Sequence, residues 1–311
     1  MNSVPGAAAQ AAAPGPTGEY MSKSAFVAIV GRPSSGKSTL LNALCGAKVS
    51  IVSPVPQTTR NTVRGIVNRP AGQIVFLDTP GFHISDKRMN LKLKDLVHRA
   101  LADVDIALYL IDATREPGPE EESLVAELAK ISIPLVAAIN KLDSPEALAA
   151  RAREFIGSHL PQAAIIEISA KNGTGLEDLL AMLLGKAVEG PAWYPEEYYT
   201  DQEPVFRIAE IIREKVIAHT REELPHAIFI DYSDSRKLND GSLEASYDIV
   251  VERDSQKGII IGKGGSMIRM IREEAEADLR EIFEYEVKLR LQVRVDSTWK
   301  HDEKKLDSLI F

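Results

Sequence analysis

The sequence predicts the α/β class: a mostly parallel six-stranded sheet covered by helices on both faces, followed by a smaller α+β unit. Three observations lead there. Between residues 26 and 188, β-type runs alternate with helical stretches, and the later runs are continuously apolar, as buried parallel strands are. A glycine-containing loop lies between the first run and the first helix. From Val205 the order changes to helix, strand, strand, helix, helix, strand.

The whole chain sets outer bounds. Its 311 residues suffice for two domains, each with its own core. A hydrophobic content of 44% and a charged content of 26% are ordinary for a soluble globular protein. No apolar run approaches the roughly 20 residues of a membrane span. The single cysteine, Cys45, excludes an internal disulfide framework and fits a reducing compartment. Net charge is −8 and neither half is basic, so any nucleic-acid site has to be a local patch. Residues 1–20 are rich in Ala, Pro and Gly. Prolines interrupt the apolar stretch that a signal peptide needs, so a disordered tail over 1–22 is expected.

The first strand is 26–30 and a helix runs from the loop to about Leu44. Residues 45–61 show no periodicity and hold Pro54, Pro56 and the polar set Gln57-Thr58-Thr59-Arg60. Two β-rich runs, 62–68 and 73–77, read as a hairpin because only Arg69-Pro70-Ala71-Gly72 separates them. Helices are expected over 90–102, 120–130, 146–159 and 175–188, and strands over 106–111, 135–139 and 165–168.

Four motifs fall at the ends of these strands. Gly31-Arg32-Pro33-Ser34-Ser35-Gly36-Lys37-Ser38 fits G-x-x-x-x-G-K-[ST], with Thr39 opening the helix. Its backbone N–H groups and the helix N-terminus suit a phosphate, Lys37 can reach phosphate oxygens, and the Ser38 hydroxyl suits Mg²⁺. Asp78-Thr79-Pro80-Gly81 ends the second hairpin strand. The carboxylate suits Mg²⁺, and the Gly81 N–H a terminal phosphate. Asn140-Lys141-Leu142-Asp143 places a carboxylate where it can accept from both donors of a guanine edge. The Asn140 amide would contact the base and the Lys141 stem would cover it. Ser169-Ala170-Lys171 can offer a backbone N–H to the guanine oxygen. Carboxyl ends of parallel strands are where open α/β sheets bind ligands.

The order phosphate loop, Thr-containing loop, DTPG, NKLD, SAK resembles a Ras-like GTPase domain. The resemblance implies that Thr59 coordinates Mg²⁺ together with Ser38 and Asp78 and senses the γ-phosphate, with Thr58 as the alternative. It implies Lys37, Thr59 and Gly81 as catalytic groups, and 82–98 as the second switch. Where a hydrolytic GTPase has a water-orienting Gln, this chain has Phe82, which has no hydrogen-bonding atom. Either the domain binds without hydrolysing, or it places water by other means.

Residues 189–204 read as a linker whose aromatics pack on one domain. Beyond it, a helix is expected over 205–220, strands over 227–232 and 245–251, and a long helix to about Phe283. A last strand, Val287–Val295, alternates apolar and polar residues. Between two helices stands Gly262-Lys263-Gly264-Gly265. This order resembles a type II KH domain over 205–298, whose GXXG loop clamps single-stranded RNA. Arg253, Lys257, Lys263, Arg269 and Arg272 against Asp254 alone make a positive patch, and Ile259, Ile260 and Ile261 would floor it. The RNA-binding set is therefore Lys257, Ile261, Gly262, Lys263, Gly264, Gly265, Arg269 and Arg272. Residues 299–311 are a short polar tail.

With the linker read as Y-P-E-x…T-D-Q and residues 222–226 as E-E-L-P-H, the two-domain order resembles the Era family from about residue 24 to 299. The resemblance implies a P-loop GTPase domain at 23–188 and GTP hydrolysis with Mg²⁺. It further implies a monomer that binds small-subunit ribosomal RNA near its 3′ end and assists assembly of the 30S subunit. It implies a cytoplasmic location, with peripheral contact to the inner membrane known in the family. Potassium is left open, because the family's phosphate loop usually reads G-R-P-N-V-G-K-S and this chain has Ser34 at the Asn position. The competing readings are a non-hydrolysing RNA-binding module and a GTPase of another RNA-maturation step.

Overall fold

The computed structural model describes residues 22–53, 55, 58–82, 95, 97–221 and 224–299. Residues 1–21 and 300–311 of the expected tails, residues 83–94 and 96 of the second switch, and Gln57 fall outside them. The chain divides into two compact units, 22–202 and from Glu203 onward.

The first unit is built on one sheet. Strands β1 (Lys23–Val30), β2 (Val63–Arg69), β3 (Gly72–Asp78), β4 (Ile106–Asp112), β5 (Leu135–Asn140) and β6 (Ala164–Glu167) lie in the order β2-β3-β1-β4-β5-β6. All neighbours are parallel except the β2–β3 hairpin, which turns at Arg69 and Gly72. A two-residue strand, β7 (Val188–Glu189), adds to β1 antiparallel. Strands β3, β4 and β5 are buried along their whole length, which is why they read as unbroken apolar runs. Helices α1 (Lys37–Cys45), α2 (Pro119–Leu128), α3 (Ala149–His159) and α4 (Leu176–Lys186) follow β1, β4, β5 and β6, and residues 97–102 are also helical. One core joins Ala28, Val30, Tyr109 and Ile139 of the sheet to Leu124, Leu128 and Ile156 of the helices. The chain leaves β1 toward β3 on one side and returns as β4 on the other. The carboxyl end of β1 is thus the switch point where such sheets bind ligands.

Residues 190–202 do not hang free. They run along the open edge of β2: Ile66 N–H donates to Tyr199 O (2.9 Å) and Thr200 Oγ1 to Arg64 O (2.8 Å). Buried Gln73 accepts from Trp193 N and Tyr194 N and donates to Tyr194 O. Arg64, Tyr194 OH and Asp201 form a cluster around one carboxylate oxygen. An edge covered in this way is no longer a template for pairing. Trp193 stays 63% exposed but tilts onto Phe26.

The second unit carries α5 (Pro204–His219), β8 (Ile228–Lys237), β9 (Leu243–Val251), α6 (Asp254–Ile261), α7 (Ser266–Ile282) and β10 (Val287–Val295). The sheet order is β10-β9-β8, with β10 parallel and β8 antiparallel to the central β9. Strand β8 runs five residues past its expected end, because a bulge at Tyr232/Asp234 lets pairing continue to Leu243. Trp299 is fully buried and tilts onto Phe229.

Candidate functional site

Two clefts, one in each unit, lie against the motifs. The first, about 390 Å³, is lined by the phosphate loop, by Thr58 and Thr59, and by Gly81, Arg115 and Lys141. The loop leaves β1 and turns into α1 through Gly36, whose φ of 101° lies in the left-handed region. A Cβ there would sit 2.5 Å from Asn140 Nδ2, so glycine is required both for conformation and for space. Ser34 is also left-handed, at φ 62°.

Lys37 is buried at the floor and donates to Gly31 O and Arg32 O, both 3.0 Å. Burial lowers its pKa to about 8, opposed by the Asp78 and Glu121 carboxylates. Next to it, Ser38 Oγ donates to Asp78 Oδ2 (2.7 Å) and lies 3.0 Å from Thr59 Oγ1. Ser50 Oγ donates to the same Asp78 oxygen at 2.8 Å. Asp78 Oδ1 is buried without a hydrogen-bond partner, and burial pushes this carboxyl up against the pull of Lys37, Ser38 and Ser50. An orphaned buried carboxylate oxygen beside two hydroxyls fits a hard divalent cation. Thr58 Oγ1 instead donates to Val55 O.

Next to Lys141, which lines the cleft, Asn140 bridges two loops. Its amide N–H donates to Ser35 O (2.9 Å), and its oxygen accepts from Ala170 N–H (2.9 Å). One of its two amide N–H groups and one oxygen lone pair are thus engaged by the protein, which fixes the orientation of the side chain and leaves a second N–H to donate. Ser169 Oγ donates to Asp143 Oδ1 (2.7 Å), and Asp143 is otherwise exposed. Lys141, at φ 71°, donates from Nζ to Asp112 Oδ2 (2.7 Å). Burial raises the Asp112 pKa, but hydrogen bonds from Lys141 and Thr114 bring it below the usual range.

Three other expected contributors turn away from the cleft. The Arg32 guanidinium is buried against Glu121 of α2, with Nε 2.9 Å from Oε1 and Nη1 3.1 Å from Oε2. The Phe82 ring is 1% exposed in the core with Leu77, Val97 and Tyr109, while its N–H donates to Gly31 O of the loop. Thr79 Oγ1 donates to Ile29 O and is fully buried. Short-range pattern shows the backbone course of these motifs, but the Arg32 and Thr79 side chains turn to partners 89 and 50 positions away and the Phe82 ring turns into the core. Sequence reasoning missed Ser50, Asp112, Arg115 and Glu121, because none lies in a motif.

The second cleft, also about 390 Å³, lies between the start of α7 and β10. Gly265, Ile268, Arg269, Arg272 and residues 289–292 line it. The GXXG turn leaves α6 at Gly262, whose φ 73° and ψ 174° only glycine adopts readily, and where a Cβ would sit 2.7 Å from Met267 Cβ. The isoleucine floor is corrected: Ile260 is fully buried in the core, Ile259 is 54% exposed, and Ile261 lies between. A helix shows one side chain in three or four to any one face, so three successive isoleucines cannot share one. Ile268 and the β10 residues were missed, because their proximity to the GXXG loop depends on the parallel pairing of β10 with β9. On the sheet, Lys288 pairs with Asp240, Arg290 and Arg236 with Glu244, and Arg294 with Asp231 and Asp248. Lys257, Lys263 and Arg269 take no part in those pairs.

Residues 26–141 match the family model described as 50S ribosome-binding GTPase, and residues 223–300 match that of the KH domain. The GTPase Era of Treponema denticola is 47% identical over 284 residues, covering 90% of this chain and 97% of the relative. That of Borreliella burgdorferi is 43% identical, covering 93% and 99%.

The chain belongs to the Era family of GTPases.

Two solved Era structures are similar to it over 92% of this chain and 98% of theirs, each with 34% identity and a TM-score of 0.87. One is a variant of Aquifex aeolicus Era bound to GDP and AlF₄⁻; the other is Era in complex with MgGDPNP and nucleotides 1506–1542 of 16S ribosomal RNA. The Era fold accounts for both units: a P-loop GTPase domain with a mostly parallel sheet, and a KH domain with its own small sheet. The chain is a GTPase.

Proposed function

We propose that this GTPase is a switch that binds the 3′-terminal region of small-subunit ribosomal RNA through its KH domain and assists 30S assembly. The observation that carries the reading is the pair of clefts in one chain, one built for a guanine nucleotide and the other around a GXXG turn. The RNA held by the solved relative supports the identity of the ligand.

In the first cleft the loop N–H groups and Lys37 hold the phosphates, and Asp143 accepts from the guanine edge. Ser38, Thr59 and Asp78 would hold Mg²⁺. The cation supplies charge to the phosphate oxygens when bound. Thr59 is the first-switch residue of this set, and Gly81 is positioned by the second motif to offer its N–H. The Phe82 ring lies in the core, so the attacking water is oriented by a group other than the residue after the D-x-x-G motif. Arg269 and Arg272 in the second cleft, with Lys263 of the GXXG turn and Lys257 of α6, attract the sugar-phosphate chain, and Gly264 and Gly265 let it approach. The protein acts as a monomer in the cytoplasm; among the described residues no helix is long and apolar enough to cross a membrane.

The test is to crosslink the full-length protein to RNA with a non-hydrolysable GTP analogue and sequence what is captured. Enrichment of the 3′ end of 16S ribosomal RNA over other RNA is the expected result. Enrichment of another RNA class would refute the assignment.

A further inference from the structure

Lys141 is the motif residue whose aliphatic stem would cover the guanine. A lysine side chain carries about 2 kcal/mol of rotamer entropy, so an unanchored one does not stay over a base. In this chain it is anchored. Its Nζ lies 2.7 Å from Asp112 Oδ2, and the Asp112 side chain is fully buried while that of Lys141 is 32% exposed. Asp112 is itself fixed: its other oxygen accepts from Thr114 N–H (2.9 Å) and Thr114 Oγ1 (2.7 Å). It ends β4 directly opposite Asn140 of β5, and Ala113 N–H donates to Asn140 O. The carboxylate thus sits on the sheet one strand away from the motif it serves. Arg115 Nε, 3.9 Å from the same oxygen, also lines the cleft.

We infer that Asp112 is a positioning residue for guanine binding: it holds the Lys141 ammonium so that the stem forms one wall of the base site. A buried carboxylate with both oxygens engaged is a rigid post, and the ammonium bound to it can move little. The stem is left as apolar surface facing the cleft. The inference rests on the reading that Lys141 covers the base. Lys141 also adopts a left-handed backbone conformation, rare for a residue with a side chain, and the pull of Asp112 is a reason for it to persist.

The test measures GDP and IDP affinity by calorimetry for Asp112→Asn, Lys141→Met and the double variant in the full chain. A wall made by stacking does not sense the 2-amino group that separates guanine from hypoxanthine; Asp143 does. Asp112→Asn is expected to weaken both nucleotides by about tenfold, the order of one charge-assisted hydrogen bond, and to leave their ratio unchanged. The double variant is expected to be no weaker than Lys141→Met alone. Wild-type affinity in Asp112→Asn, or a double variant weaker by the product of the two singles, would overturn the inference. So would a collapse of the GDP-to-IDP ratio in Asp112→Asn, which would make Asp112 a brace for the Asp143 loop. If instead Lys141→Ala, which removes the stem, binds GDP as the wild type does, the reading of the base site fails, whatever Asp112 does.

Discussion

The Arg32–Glu121 pair joins the phosphate loop to a helix that carries no nucleotide motif. Glu121 is 1% exposed and Arg32 9%, and the two make paired contacts at 2.9 and 3.1 Å. Burial raises the Glu121 pKa although Arg32 pulls it down, so removal from water outweighs the attraction for this carboxyl. Breaking such a pair and replacing it have different consequences. Glu121→Leu strands a guanidinium in the core and is expected to destabilise the first unit by about 3–5 kcal/mol. Arg32→Met with Glu121→Leu removes both desolvation terms and is expected to fall within about 1 kcal/mol of wild type. A further signature lies in pH. The folded unit keeps the Glu121 proton longer than the unfolded chain does. This contribution therefore favours folding at low pH and fades as pH rises through 4.5 and above, and Glu121→Leu flattens that slope. Urea unfolding is followed with and without GDP, since the ligand shifts only the transition of the nucleotide-binding unit. A loss below about 1 kcal/mol in Glu121→Leu, or a double variant as unstable as the sum of the singles, would refute the reasoning.

Asp143→Asn is expected to shift preference from guanine toward xanthine nucleotides, with a loss of about 2–5 kcal/mol for GDP; unchanged GDP affinity by calorimetry contradicts it. Gly265→Asp places a carboxylate where a phosphate approaches and should abolish RNA binding while GDP affinity stays near wild type. Lys37→Ala should do the reverse; an unaltered salt slope for RNA in the glycine variant shows that the loop is not the clamp. Phe82→Ala opens a cavity in the core and should cost about 3–5 kcal/mol in stability, with little effect on single-turnover hydrolysis where the variant remains folded; a hundredfold loss of rate would place the ring in the water site. Ser34 lines the cleft where relatives of the family pattern carry Asn, so hydrolysis should differ little between potassium and sodium, and Ser34→Asn should install potassium stimulation. A tenfold stimulation of the wild type by potassium would show that Ser34 is no handicap.

The sequence by itself determined the course of the chain and the chemistry at the strand ends. Apolar runs marked β3 to β5, the glycines marked the two turns, and motif order gave the family, because each signal is local in the chain. Local spacing also carries the GXXG loop, since Gly262 must adopt a conformation that other residues avoid. Tertiary structure alone decided which side chains face the clefts. Arg32 and Phe82 read as cleft residues, yet one bonds to Glu121, 89 positions on, and the other fills the core. Ser50 reaches Asp78 across 28 positions, and Lys141 reaches Asp112 across 29. Residues 190–202 read as a linker whose aromatics pack on one domain, but only the fold shows that they cover the edge of β2, through bonds spanning more than 100 positions. A side chain turns toward whichever partner the fold brings within hydrogen-bonding distance or out of water, and single-sequence pattern does not encode that distance.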